Sequence, residues 1–143
     1  MITPDANVIL YAYNEDALKH AEAKKWFEEQ LSSSGSFGLS WQAITAFLRI
    51  STNRKAFPQP FDLQEAIEIV DEWIALPNVK ILTPTINHWK IFHNLIIEGQ
   101  TKAALMMDAH LATLAIEHDV TLATTDSDFS KFSGLKTINP LIN

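Results

Sequence analysis

Residues 104–129 read ALMMDAHLATLAIEHDVTLATTDSDF and carry the pattern that decides the fold. The first part predicts a helix from about Ala104 to His118, because apolar residues recur there at helical spacing. Residues Thr121–Thr124 follow as a short strand, and Asp126 and Asp128 come directly after it. A helix that leads into a strand with acids at its carboxyl end is typical of a parallel α/β sheet, whose ligands bind at that edge.

The same alternation of strand and helix extends over the whole chain. Strands are predicted at Ile2–Asp5, Phe37–Ser40, Val79–Leu82, Thr121–Thr124 and Lys136–Ile138. Helices are predicted through Val8–Tyr11, over Ala17–Leu31, up to about Asn53, from Asp62 to Pro77, from Thr85 to Gly99 and over Ala104–His118. The order β-α-α-β-α-α-β-α-α-β-β predicts an α/β fold, a three-layer α/β/α sandwich with a central parallel sheet of four to five strands. We expect one domain over residues 1–143.

Caps and apolar stripes predict which helix faces are buried. Asp62 and Glu65 form a capping box, and the predicted buried stripe of their helix is Leu63, Ile67, Val70 and Ile74. Thr85 is the predicted N-cap of the next helix, which carries Trp89, Phe92 and Ile96. The four tryptophans lie beside apolar residues, which favours a place in the core or in a dimer interface: Trp26, Trp41, Trp73 and Trp89.

Composition excludes several classes of function. The chain has no cysteine, so disulfides, thiolate zinc sites and cysteine nucleophiles are absent. No apolar run approaches the roughly 18 residues of a membrane span, and no secretion signal is recognisable, so we expect a cytoplasmic protein. The net charge of -6 argues against coating nucleic acid through a basic surface. It does not argue against a nuclease, because carboxylates can bind cations that in turn hold a phosphodiester.

Four aspartates are the candidates for chemistry. Asp5 ends the first strand, where it is either a helix N-cap or a ligand at the carboxyl edge. Asp108 lies within an apolar helical segment, where a lone buried carboxylate would be unfavourable. Asp126 and Asp128 follow the fourth strand, where turn formation is the competing interpretation. Mg²⁺ and Mn²⁺ prefer oxygen ligands, so the four together predict a divalent-cation site that activates water.

Four short blocks resemble VapC toxins of the PIN family: residues 5–12 (DANVILYA), 108–112 (DAHLA), 124–129 (TTDSDF) and 139–141 (NPL). Their order and spacing cover essentially the whole chain. The resemblance implies a five-stranded α/β/α fold, Mg²⁺ or Mn²⁺ as cofactor, endonucleolytic RNA cleavage and inhibition by a cognate VapB antitoxin. It also implies that Asp5, Asp108 and Asp126 are the catalytic metal-site acids and that Asp128 is an accessory acid.

The chain departs from the family at one position. Many PIN domains carry a glutamate on the helix after the second strand, and Ala46 stands there in this chain. The loss is either natural, as in a subgroup of VapC-like sequences with a similar Trp-to-Phe-Leu-Arg block, or a deliberate inactivating change. Gln42, Arg49 and Asn53 flank this position on the helix and are expected to face the same groove.

Three functions remain open from the sequence. The first is an antitoxin-regulated, metal-dependent endoribonuclease, which we expect to form a homodimer and to contact RNA or antitoxin through Arg49, Asn53, Arg54 and Lys102; a solvated surface is the alternative interpretation of these residues. The second is a PIN-like module that binds antitoxin or RNA without cleaving, because the acid at Ala46 is missing. The third is a phosphoacceptor or phosphatase-like domain with Asp5 as nucleophile, which the missing lysine at a late strand end disfavours.

Overall fold

A computed structural model describes residues 1–142 and contains one five-stranded parallel sheet. The strands are β1 (Ile2–Pro4), β2 (Phe37–Ser40), β3 (Val79–Leu82), β4 (Thr121–Ala123) and β5 (Thr137–Ile138). The helices are α1 (Ala6–Tyr13), α2 (His20–Ser32), α3 (Trp41–Ser51), α4 (Leu63–Ala75), α5 (His88–Glu98) and α6 (Leu105–Glu117), with a 3₁₀ helix at Ser127–Lys131. The predicted element order and the predicted α/β/α fold are confirmed.

The sheet order places β1 in the centre. The strands are arranged β3-β2-β1-β4-β5, and β1 pairs with β2 at Ile2 and Phe37 and with β4 at Pro4 and Ala123. All pairings are parallel, so the strands end at one common edge. Asp5 directly follows β1 and therefore lies in the middle of that edge, between the ends of β2 and β4.

The two faces of the sheet have separate cores. One core joins α1 to α4 with β2 and includes Phe27, Phe37, Phe47 and Trp73. The other joins α5, α6 and the 3₁₀ helix and includes Leu122. Burying both faces accounts for strands that are largely apolar throughout rather than alternating with polar residues.

Strands β1 and β2 lead into helices without a loop, because a residue at the end of each strand caps the helix that follows. The cap of α1 is Asp5, directly after β1, and the cap of α3 is Ser40, the last residue of β2. The Asp5 carboxylate accepts the amide of Val8 at 3.1 Å, and the Ser40 hydroxyl accepts the amide of Ala43 at 3.0 Å. These N-caps satisfy amides that the first helical turn leaves without a partner. As a result α1 and α3 both begin at the carboxyl edge of the sheet.

The predicted buried face of α4 is wrong. Leu63, Ile67 and Ile74 are exposed, whereas Ala66 and Trp73 join the predicted Val70 in the core. The indole of Trp73 donates to the Tyr13 hydroxyl at 3.0 Å. The apolar residues of this helix form a broad face, and the part of that face that carries its largest side chain, Trp73, is the buried one.

Several helix ends also differ from the prediction. The predicted capping box of α4 is confirmed, but Thr85 does not cap α5, which begins at His88 after an Asn87 N-cap without a side-chain bond. The Thr85 hydroxyl donates to Glu117 instead, at 2.6 Å. Helix α2 begins at His20 rather than Ala17. Helix α3 ends at Ser51 rather than Asn53, and β1, β4 and β5 are each one residue shorter than predicted.

The tryptophans do not share one environment. Trp73 is buried and Trp26 is half-buried, whereas Trp41 is 52 % exposed and Trp89 is 66 % exposed. Trp41 and Trp89 are therefore not core residues, and the alternative place of these two in a dimer interface stays a prediction. Among residues 1–142, none of the helices combines the length and the apolar character needed to cross a membrane.

Candidate acidic metal site

Asp5 is both a helix cap and a site residue. Its Oδ1 accepts the Val8 amide at 3.1 Å, so the capping interpretation of this residue is correct. Its Oδ2 accepts a hydrogen bond from the hydroxyl of Thr124, the residue that follows β4. The side chain is only 5 % exposed. Capping therefore holds the carboxylate in place at the carboxyl edge and does not remove it from that edge.

Thr124 links the end of β1 to the acids after β4. While its hydroxyl donates to Asp5, the same oxygen accepts the amide of Asp126 at 3.0 Å. Asp126 in turn caps the 3₁₀ helix by accepting the amide of Asp128 at 2.8 Å. A chain of hydrogen bonds thus runs from Asp5 through Thr124 and Asp126 to Asp128. Three of the four predicted acids are connected in this way.

Asp108 approaches this group from the other core. It lies within the predicted apolar helix, α6, but it is half-buried in the first turn, so the expectation of a buried carboxylate in the middle of the helix is wrong. The amino end of a helix favours negative charge, which makes this a suitable place for a carboxylate. Asp108 is related to Asp5, Asp126 and Asp128 by the effect of their charges on its pKa.

The charges of the four aspartates act on one another. Burial raises the pKa of Asp5 above its ordinary value, and the charge of Asp126 raises it further, against hydrogen bonds from Thr124 and Val8. Burial also raises the pKa of Asp108, followed by the charges of Asp126, Asp128 and Asp5. Carboxylates whose charges act on one another in this way lie in the same region of the molecule. Asp5 and Asp108 therefore lie on the same side of the molecule.

The residues fit a divalent cation, although not as a preformed set of ligands. Within residues 1–142, no three aspartate, glutamate or histidine side chains are close enough to hold one metal ion in their present positions. Both oxygens of Asp5 already accept hydrogen bonds. Mg²⁺ commonly keeps several waters and takes only one or two carboxylates directly. The donor set and the mutual repulsion therefore suit a hydrated cation that draws the acids together.

One side of α3 faces the first turns of α6. Gln42 Nε2 donates to the carbonyl of Met107, the residue before Asp108, at 3.1 Å. The Gln42 Oε1 atom is buried without a hydrogen-bond partner among the described residues. Ala46 lies one turn after Gln42, half-buried, so the missing glutamate would have stood on this side of α3. Arg49 is on the neighbouring exposed strip of the same helix.

The four residues predicted to contact RNA or antitoxin lie at different distances from the candidate site. Arg49, Asn53, Arg54 and Lys102 are all exposed, and no carboxylate among residues 1–142 forms an ion pair with the three cations. Lys102 precedes α6, and its carbonyl accepts the amide of Leu105 at the start of that helix. Asn53 and Arg54 follow the other end of α3, about 16 Å along the helix from Gln42. Lys102 is thus the best placed of the four, and Arg49, in the last turn of α3, is nearer to Gln42 than Asn53 and Arg54 are.

Sequence reasoning missed two residues of the site. It gave no role to the hydroxyl of Thr124, which donates to Asp5. A threonine two residues before an aspartate can accept that residue's amide, and this spacing was the available signal. Lys131, on the 3₁₀ helix, lowers the pKa of Asp108 by its charge and offsets part of the repulsion. Nothing in the local sequence around Lys131 indicates that contact.

A second polar cluster lies between α5 and α6, from His110 to Glu117 at the carboxyl end of α6. His88 Nδ1 bonds the carboxylate of Glu117, and His88 Nε2 lies 3.0 Å from His110 Nδ1. The Glu117 carboxylate also accepts the amide and hydroxyl of Thr85, both at 2.6 Å. These bonds hold the carboxylate's pKa below its usual value despite burial, which acts in the other direction. The cluster joins α5 to α6 and lies outside the acidic site.

Comparison with known proteins agrees with this architecture. The family model for the PIN domain matches residues 2–135. The ribonuclease VapC37 of Mycobacterium tuberculosis is 37 % identical over 136 residues, which are 95 % of this chain and 94 % of that protein. The ribonuclease VapC33 of the same organism is 35 % identical over 141 residues, or 99 % of each chain.

A solved structure shares the fold at much lower identity. In VapBC2 from Rickettsia felis, bound to a DNA fragment from its promoter, one chain superposes with a TM-score of 0.68 at 16 % identity, covering 96 % of this chain and 98 % of that one. The family model matches nearly all residues, and the two relatives at 35–37 % identity are both named VapC ribonucleases. The chain therefore belongs to the PIN-domain family and, within it, to the VapC ribonucleases.

Proposed function

We propose that this chain is the toxin of a type II toxin–antitoxin system, a Mg²⁺- or Mn²⁺-dependent endoribonuclease that acts in the cytoplasm as one domain over residues 1–143. The observation that carries this proposal is the gathering of four aspartates at the carboxyl edge of the sheet, where their charges raise the pKa of Asp5 and Asp108. Family membership indicates that the reaction is RNA cleavage, and we expect it to occur at the acidic edge.

The four acids have different roles in this proposal. Asp5, Asp108 and Asp126 hold the cation, partly through water, and Asp128 is the accessory acid. The bound cation would supply Lewis-acid charge and a water of lowered pKa. Thr124 keeps the Asp5 carboxylate oriented, since its hydroxyl bonds both Asp5 and the amide of Asp126. Lys131 limits the excess negative charge around Asp108.

The proposed partners are an RNA substrate, a VapB-like antitoxin and a second copy of the chain. The relatives at 35–37 % identity are named ribonucleases, and the Rickettsia felis structure is of a VapBC pair. With a net charge of -6, the chain has little basic surface of its own for RNA. Binding to RNA phosphates then depends on the cation and on a few cationic side chains such as Arg49 and Lys102.

Metal dependence of cleavage tests the proposal. Purified protein is incubated with 5′-labelled RNA in Mn²⁺, in Mg²⁺ or in EDTA, and the fragments are resolved on a sequencing gel. We expect discrete internal cuts with either cation and none in EDTA, because the acids alone have no group that neutralises the phosphate charge. Equal cleavage in EDTA would contradict the proposed chemistry.

A second function is favoured by one observation, the alanine at position 46. Ala46 is on the side of α3 that faces Asp108, so the site has one acid fewer than many PIN domains. In that case the chain is an impaired module that binds antitoxin or RNA without cleaving it. Binding of RNA without metal-dependent cuts, by a protein that is folded, would favour this second candidate.

Substitution Ala46→Glu distinguishes a depleted site from an intact one. A carboxylate added on this side of α3 supplies a further oxygen ligand, so we expect tighter Mn²⁺ binding and faster Mn²⁺-dependent cleavage, by about 10-fold or more. Ala46→Gln is the matched control, since it has the same length without the charge. Equal cleavage rates for the glutamate variant and the parent would show that position 46 does not reach the cation.

A further inference from the structure

Trp41 is a large aromatic side chain left exposed at the carboxyl edge of the sheet. It follows Ser40, which ends β2 and caps α3, and it is 52 % exposed. The buried side of α3 consists of Ala43, Ile44 and Phe47, and Trp41 points away from it. Packing in the core does not account for a tryptophan at this position, so its role lies on the surface.

Contacts at its neighbour place Trp41 at the acidic end of α6. Gln42, the next residue, donates to the carbonyl of Met107, which precedes Asp108. The other exposed tryptophan lies at the opposite end of the same helix. Trp89 follows His88, which bonds Glu117, the last residue of α6. Helix α6 has 13 residues and is therefore about 20 Å long, so the two tryptophans form a natural comparison.

The face that carries Trp41 also carries a cation. Trp41, Thr45 and Arg49 are spaced four residues apart, and all three are exposed. This spacing puts them on one strip of α3. Among the described residues no carboxylate forms an ion pair with Arg49. An exposed aromatic ring at the start of this strip and an unpaired guanidinium about 12 Å further along it match single-stranded nucleic acid, which offers bases for stacking and phosphates for charge contact.

We propose that Trp41 stacks on a base of a single-stranded RNA segment beside the acidic site and that Arg49 binds its phosphate backbone. The inference rests on the proposed ribonuclease function and deepens it, because it assigns the substrate class to one face of α3. A second protein chain could supply a carboxylate to Arg49, but it would not supply a base to stack on Trp41. RNA offers both a base for Trp41 and a negatively charged phosphate for Arg49.

The test measures binding separately from cleavage. A fluorescein-labelled, unstructured 12-nucleotide RNA of mixed sequence and an abasic strand of the same length are titrated in EDTA at low salt, with fluorescence anisotropy as the readout. We expect Trp41→Ala to weaken binding of the RNA by about 5- to 150-fold, the range that loss of one stacked base gives. Binding of the abasic strand should not change, because it has no base to stack.

Three further variants complete the comparison. Trp41→Phe should retain most of the affinity for RNA, since its ring can still stack. Trp89→Ala should bind both strands like the parent protein. Arg49→Gln should weaken binding of both strands and reduce the dependence of affinity on salt. In Mn²⁺, Trp41→Ala should raise KM for cleavage while leaving kcat within about twofold.

Several results would overturn this inference. One is equal RNA affinity for Trp41→Ala and the parent protein. If metal-dependent cleavage is observed in that case, the proposed ribonuclease function is retained and only the role of Trp41 is rejected. Another is failure of the parent to bind either strand. A third is a change of molecular mass for Trp41→Ala in light scattering, which would show that Trp41 contacts a second copy of the chain. Circular dichroism checks that each variant is folded.

Discussion

Replacement of Asp108 by asparagine is expected to reduce Mn²⁺-dependent RNA cleavage by at least about 100-fold. A catalytic cation stabilises transition-state charge by several kcal/mol, and each 1.36 kcal/mol changes the rate tenfold. Asparagine keeps the size of the side chain but removes the charge that the cation needs. Initial rates on a labelled RNA at saturating Mn²⁺ measure the effect.

The same variant should be more stable than the parent when no cation is present. The pKa of Asp108 is raised by burial and by three neighbouring acids, so its charged form disfavours the folded state. We therefore expect a higher melting temperature for Asp108→Asn in EDTA and a smaller gain on adding Mn²⁺. Because the pKa of Asp108 in the folded state lies above the ordinary value of 3.8, this difference is full at pH values above the folded pKa and shrinks as the pH falls towards 3.8.

Asp119→Asn is the matched control for Asp108→Asn. Asp119 follows the opposite end of α6, is exposed and pairs with Lys136 at 2.8 Å. It has a positive φ of 53°, which asparagine also adopts readily. Its substitution should leave cleavage unchanged. If Asp108→Asn cleaved RNA as fast as Asp119→Asn, the assignment of Asp108 to the site would be wrong.

Substitution Trp73→Ala is expected to have the largest effect on stability. The Trp73 ring packs against Phe27, Phe47 and Tyr13 with centroids 4.8–5.8 Å apart, and its indole donates to the Tyr13 hydroxyl. Removal of a buried tryptophan costs about 3–5 kcal/mol. For a chain of this length we expect a fall in melting temperature of about 10 °C, measured by thermal unfolding in EDTA.

The exposed Trp89 provides the comparison for Trp73. Trp89→Ala should change the free energy of unfolding by less than about 0.5 kcal/mol, as is usual for surface positions. Ile74→Ala, on the face of α4 that the sequence analysis placed in the core, should also have a small effect, because Ile74 is 42 % exposed. A larger loss for Ile74→Ala than for Trp73→Ala would mean that α4 packs by its other face.

The order of elements was predictable because strand and helix patterns are local. Residues 121–123 form a short strand, and residues 104–118 have helical spacing, so neither prediction depends on distant contacts. The face of α4 was not predictable in this way. Its sequence contains two overlapping apolar stripes, one through Ile67 and one through Ala66 and Trp73. Only the aromatic partners on α1, α2 and α3 determine which stripe is buried.

Some features of the candidate site were also predictable from local sequence, and others depend on residues far apart in the chain. That Asp5 and Asp126 follow strands was visible in the sequence, and parallel strands bring their ends to one edge. The bond from Thr124 to Asp5 joins residues 119 positions apart, and no local pattern indicates it. The exposure of Trp41 was also hidden, because its apolar neighbours suggested burial. The roles of Asp5, Asp108, Asp126 and Asp128 as ligands remain predictions for the Mn²⁺ experiments.

The sharpest test is to locate Mn²⁺ directly in a crystal of the protein by anomalous diffraction at the manganese edge. We predict a peak at the carboxyl edge of the sheet, within direct or water-bridged reach of both Asp5 and Asp108. A well-ordered crystal soaked in Mn²⁺ that shows no peak between these two carboxylates, or shows the ion only at the His88–Glu117 end of α6, would contradict the account.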